Sequence, residues 1–142
     1  MADRRGAAIL ELSLVLPLLF MLALLATDFG FGLFRGLQVQ NAAQSGLRSA
    51  VVGGFDAARI TAVVQGAAGA SGITMASAPR QFCGCPATTG VQEIACSSTC
   101  SGGATAGTYA TLTLTARYTP WLATPLLPNG LTFTTRPLVR LQ

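Results

Sequence analysis

Histidine and lysine are both absent from this sequence, and its nine basic residues are all arginine. The lack of histidine removes the side chain most used as a general base near neutral pH and the commonest metal ligand. No glycine-rich loop is spaced to cradle a phosphate, and no serine has a visible base. The isolated acids Asp56 and Glu93 sit at cap or turn positions. An enzyme is therefore not expected, nor is a cofactor. Charge of either sign is sparse, at 10% of 142 residues, and mean hydropathy is high at +0.54. The net charge of +4 comes from arginines scattered between Arg4 and Arg140 without a run. A nucleic-acid partner needs a clustered basic face, so none is expected. A Cys-x-x-Cys pair is missing too, which argues against thiol–disulfide catalysis.

What the chain does have is one long apolar run, and a carboxylate placed inside it. Arg4 and Arg5 precede Gly6, and residues 7–26 are then apolar apart from Glu11, Ser13 and a few small residues until Asp28 restores charge. As a helix, about 20 residues rise ~30 Å, enough for a bilayer core. The run is longer than the hydrophobic region of a secretory signal peptide, and Ala23-Leu24-Leu25-Ala26 makes a poor cleavage site. The arginines on its short side put the N-terminus in the cytoplasm and everything after Asp28 outside the inner membrane. An acid within such a span costs roughly 2.5–3.5 kcal/mol and is read as functional by default. Counted from Ala7, Glu11 falls fifth. A basic leader ending in glycine, then an apolar helix with glutamate at its fifth position, resembles the processing and assembly signal of type IV prepilins.

The four cysteines agree with an exported domain. They stand as Cys83-Gly84-Cys85-Pro86 and Cys96-Ser97-Ser98-Thr99-Cys100. An even number in a loop-rich stretch of an oxidising compartment reads as two disulfides. Three pairings are possible, and antiparallel segments would favour the nested one, Cys83–Cys100 with Cys85–Cys96. A Cys₄ zinc site is the alternative, although the one-residue gap in the first pair is shorter than usual knuckle spacing.

Local patterns place the remaining elements. A single helix is expected from residue 7 to about 52, bent at Pro17. Gly30, Gly32 and Gly36 follow the membrane segment and read either as points of close packing or as flexible points that let the helix tilt or partly melt on assembly. Ala43, Gly46, Leu47 and Ala50 form a small-residue stripe, with Gln40, Gln44 and Arg48 on an adjoining row. Gly53-Gly54 stops the helix, and Asp56 is a candidate N-cap for a second one over residues 57–68. Short strands then follow, near residues 73–76 and on either side of the cysteine loop. The clearest covers 109–118, where Ala110, Leu112, Leu114, Ala116 and Tyr118 alternate with threonines and Arg117. A last strand is expected over 131–141, with Leu131, Phe133 and Val139 inward and Pro137 marking an edge. Between these strands runs an apolar, proline-punctuated loop, either a packed flap or a partner-binding surface anchored by Trp121 and Leu126.

Taken together, the chain resembles a TadE-like protein of the tight adherence (Flp) pilus machinery. Four stretches carry the likeness: Arg5-Gly6-Ala7-Ala8-Ile9-Leu10-Glu11 with Leu14-Val15-Leu16-Pro17; Gln40-Asn41-Ala42-Ala43-Gln44-Ser45-Gly46-Leu47-Arg48; Cys83-Gly84-Cys85-Pro86; and Tyr118-Thr119-Pro120 with Leu131-Thr132-Phe133-Thr134-Thr135-Arg136. Leu12 departs from the aromatic that Flp-type pilins commonly carry directly after the glutamate. The resemblance implies an α+β, pilin-like fold: a long N-terminal helix, a short helix and a small antiparallel sheet with a cysteine-stapled loop. It divides the chain into a leader (residues 1–6), a transmembrane helix (7–27) and an extracytoplasmic domain (28–142). It further implies a minor pseudopilin, cut between Gly6 and Ala7 by a prepilin peptidase. Its partners would be other pilus subunits, an inner-membrane assembly platform and membrane lipid, and its use surface adhesion. The rival expectation is an uncleaved, membrane-tethered periplasmic binding or adhesin module.

Overall fold

A computed structural model describes residues 4–69, 72–121 and 130–141, with side chains from residue 9 onward. Helix α1 (Arg4–Gly53) runs 50 residues without a break, Pro17 included, and is about 75 Å long. Its outer end, from Val39 to Ala50, supplies one wall of the core. A helix α2 (Ala57–Ala68) turns back against that end. Five strands complete the head: β1 (Ile73–Ala87), β2 (Gly90–Glu93), β3 (Gly107–Tyr118), β4 (Leu131–Thr135) and β5 (Leu138–Arg140). All pair antiparallel in the order β2-β1-β3-β4, with β5 also on β3. The α+β expectation holds.

The small-residue stripe explains how α1 joins the head. Val39, Ala42, Ala43, Leu47 and Ala50 are buried with Ile60 and Val64 of α2 and with Ala110, Leu112, Leu114 and Ala116 of β3. A side chain at Gly46 would land on Val64 Cγ2 and come within 3.3 Å of Ile60 Cγ2, so glycine there sets how closely the two helices approach. Helix α2 starts as its sequence suggests: the Asp56 carboxylate accepts from the backbone N–H groups of Ala58 (2.9 Å) and Arg59 (3.2 Å). Such a cap stabilises by about 1 kcal/mol. The Arg59 guanidinium donates to the carbonyls of Ser49 and Gly54, satisfying acceptors that the end of α1 leaves without intrahelical partners.

Two strand expectations need correction. Instead of a short strand near 73–76, β1 extends over 15 residues and reaches the cysteines. It does so through register shifts between Met75 and Ser77 and between Ser77 and Arg80. Pro79 lies in the second shift, where an extra residue is left out of the ladder and the missing N–H costs nothing. The strand expected over 131–141 is two: β4 and β5 occupy the same side of β3, interrupted at Arg136-Pro137. Proline cannot donate to the ladder, and the Thr111 hydroxyl covers the gap by donating to the Pro137 carbonyl (2.9 Å). The edge position expected for Pro137 is correct.

Candidate functional site

The expected site residues occupy three separate regions of the molecule. The first is the apolar half of α1. It is the one helix among the described residues long and apolar enough to cross a membrane, and its most apolar 18-residue window has a mean hydropathy of 2.5 with no part buried in the protein. Gly6 and Ala7 belong to the opening turns of this helix. Glu11 lies on the exposed surface one turn further on. The other polar side chains of the span are satisfied within the helix: Ser13 donates to the Leu10 carbonyl and Thr27 to the Ala23 carbonyl, both at 2.8 Å. An ionised carboxylate has no proton to give to a helix carbonyl.

The second region joins the span to the head, and it centres on a residue the sequence did not single out, Asp28. The Tyr118 hydroxyl, at the end of β3, has one proton and two acceptors within reach on Asp28. These are its carboxylate, at very short range, and its main-chain carbonyl at 3.1 Å. The charged acceptor makes the stronger bond. The backbone N–H of Trp121 donates to the same carboxylate at 3.1 Å. The hydroxyl's own bond to the Asp28 carboxylate, followed by desolvation and the nearby negative charge, pushes the Tyr118 phenol up to about 12. Around the clasp, the Trp121 ring stacks on Phe31 with centroids 6.4 Å apart. A Cβ at Gly32 would meet the Tyr118 ring at 3.4 Å, and one at Gly36 would meet Phe133 at 3.1 Å. The packing expected of the glycines therefore applies to these two; Gly30 has nothing within 4 Å. A cleft of about 330 Å³ opens between Phe31, Phe34, Arg35, Gln38, Tyr118 and Trp121. Trp121 is 89% exposed despite its stack. Leu126 lies outside the described residues.

The third region is the cysteine loop. Its bonds are Cys83–Cys96 and Cys85–Cys100, with Cα atoms 5.0 and 5.6 Å apart. The pairing is crossed and corrects the nested expectation. The reason is the tightness of the β1–β2 hairpin. Cys85 faces Gln92, and the Cys83 carbonyl accepts from the Ile94 N–H at 2.9 Å. Cys96 lies just past the end of β2, near Cys83. Its Cα lies 5.0 Å from that of Cys83, within disulfide reach, whereas Cys85 stands two residues, ~7 Å, further along β1 toward the turn. Cys100 then returns to Cys85 through a loop braced by the Thr99–Thr105 bridge. With all four sulfurs bonded in pairs, none is a thiolate ligand for zinc.

The acids of the head have structural uses. Asp56 caps α2, and Glu93 forms a two-pronged pair with Arg80 at 2.9 Å for each bond. Hydrogen bonding to the guanidinium holds the Glu93 carboxyl below its usual range. Along α1, Glu11 and Asp28 stand 17 residues apart, ~26 Å. Glu11 and the head junction thus lie at opposite ends of the apolar stretch of α1.

Comparison with known proteins bears on the first of these regions. Residues 6–48 match the family model described as TadE-like protein. The matched stretch opens at Gly6, includes Glu11 and Asp28, and ends within the part of α1 that packs on the head. No curated protein and no solved structure matches the chain.

Proposed function

We propose that this chain, TadE-like over residues 6–48, is a minor pseudopilin of a tight adherence (Flp) pilus. The observation that carries this reading is Glu11: a carboxylate on the exposed surface of an apolar helix, fifth after the Gly6–Ala7 bond, inside the matched stretch. In this account residues 1–6 are a cytoplasmic leader, 7–27 cross the inner membrane, and 28–142 form the periplasmic head. A prepilin peptidase cuts between Gly6 and Ala7. The new amino group of Ala7 is a cation one helical turn from Glu11. A charge in an apolar setting is tolerable when paired and costly when alone. Glu11 of one subunit therefore selects the amino group of its own chain or of a neighbour, and fixes axial register as subunits enter the assembly. It acts in assembly and not in catalysis. The disulfide-stapled head faces outward, where it contributes to contacts with other pilus components, the assembly platform and the attached surface.

Fractionation of cells carrying the native chain tests the proposal. The processed form is expected in the inner membrane and with sheared surface material when the pilus machinery is present. Glu11→Gln is expected to be processed normally and to be lost from the sheared fraction. Full recovery of that variant would remove the registering role. A chain confined to the inner membrane, with its leader intact, would favour a tethered binding module.

A further inference from the structure

The apolar surface of α1 does not end where the charge pattern says it should. Asp28 closes the uncharged run, yet Phe29, Phe31, Leu33, Phe34 and Leu37 are all exposed beyond it. They cover most of the helix circumference not occupied by the head, which uses the side marked by Gly32, Gly36 and Val39. The character of the surface changes abruptly after Leu37: Gln40, Asn41, Gln44, Ser45 and Arg48 are exposed and polar. From Ile9 to Leu37 the mainly apolar surface, broken by the charges of Glu11, Asp28 and Arg35, is ~42 Å long, against ~30 Å for a hydrocarbon core and ~40–45 Å for a bilayer with both headgroup regions. Placing Ile9 at the inner edge puts Asp28 ~28 Å up, at the outer edge of the hydrocarbon, and the phenylalanines in the interfacial layer.

Trp121 arrives at that layer from the head. Its ring stacks on Phe31, and its backbone is tied to Asp28. The Asp28 carboxylate is supplied with two donors by the head itself, which makes an acid tolerable at this depth. Interfacial layers favour tryptophan and other amphipathic aromatics. We infer that Phe29, Phe31, Phe34 and Trp121 form an aromatic collar that seats the head directly on the outer-leaflet lipid of the inner membrane, with no free stalk of helix between them. The occupant is lipid because the collar follows directly on the apolar span and its helix aromatics, Phe29, Phe31 and Phe34, fall ~30–38 Å above Ile9, the height of the outer interfacial layer.

The inference rests on the membrane-anchored reading of α1, and its test separates the two. Trp121 is the sole tryptophan, so fluorescence reports one position. The full chain is reconstituted at low density in phosphatidylcholine vesicles with bromine near either the top or the end of the acyl chains. Expected are a blue-shifted emission, several-fold protection from aqueous acrylamide, and stronger quenching by the shallow bromines than by the deep ones. The pair Trp121→Phe with Phe34→Trp should give the same depth from the helix side. Free access of acrylamide with no quenching by either lipid would overturn the collar, as would deep quenching exceeding shallow. Protection that rises with protein density without bromine quenching would assign the face to protein and overturn it too. Release of the chain from the vesicles by alkaline carbonate would remove the anchor reading, and the collar with it. Retention in the membrane with an acrylamide-accessible Trp121 removes the collar alone.

Discussion

Replacing Tyr118 with phenylalanine removes a single hydroxyl from the joint between span and head. The ring would stay, because it packs beside Gly32 and is not held by its oxygen. What goes is the bond to the Asp28 carboxylate, and a hydrogen bond to a charged group contributes about 1.5–3 kcal/mol. The lower part of that range applies here, since Asp28 keeps the Trp121 N–H as a donor. For a head of this size each kcal/mol corresponds to roughly 4 °C, so Tm should fall by about 6–8 °C. The pH dependence supplies a second signature. The Tyr118 phenol is pushed up to about 12, above its unfolded value near 10. A raised folded pKa favours the protonated form, so this contribution is complete below pH ~10 and is lost as pH rises through ~12. Near-UV circular dichroism of the full chain in detergent, melted at pH 8 and at steps from 9 to 12, follows both. The variant should begin less stable and converge on the wild type at the alkaline end. A Tm equal to wild type at pH 8, or parallel alkaline losses in the two proteins, would refute the clasp.

Three further outcomes follow from the packing. Gly46→Ala gains helix propensity but drives a methyl into Val64, so it should destabilise the head, whereas Gly66→Ala, with open space around it, should stabilise by up to about 1 kcal/mol; thermal melts in parallel compare them. The double change Cys85→Ser with Cys100→Ser should cost about 2–3 kcal/mol by denaturant titration, at the low end because the crossed Cys83–Cys96 loop already restrains the same unfolded segment. Arg80→Ala should leave Tm nearly unchanged, because the pair it forms with Glu93 is exposed to solvent.

The elements easiest to read from the sequence were those set by local pattern. An unbroken apolar run, the Gly53-Gly54 stop and the Asp56 cap define both helices, and strict alternation defines β3. The full extent of β1 was hidden because Pro79, Gly84 and two cysteines lower any strand signal. Only the pairing with β3 makes that segment extended. Disulfide pairing turned on hairpin register, which depends on where the Thr88-Thr89 turn falls and is not carried by cysteine spacing. At the candidate site, Glu11 was conspicuous because charge is scarce in its surroundings. Asp28 was equally visible as the residue closing the run, but its partners lie 90 or more residues away. The only hint was a tyrosine ending a strand, Tyr118, with a tryptophan three residues beyond it, Trp121. The reach of the apolar surface to Leu37 could not be read from charge alone, since it required knowing which side of α1 the head covers.

The central claim is that the Gly6–Ala7 bond is cut and that Glu11 then faces a free amino group. N-terminal sequencing of the native protein, with an intact mass on the same sample, addresses it most directly. The account predicts a mature chain beginning Ala7-Ala8-Ile9-Leu10-Glu11, with residues 1–6 gone from the mass. A protein that still carries Gly6 joined to Ala7, isolated from cells with an active prepilin peptidase, would contradict it.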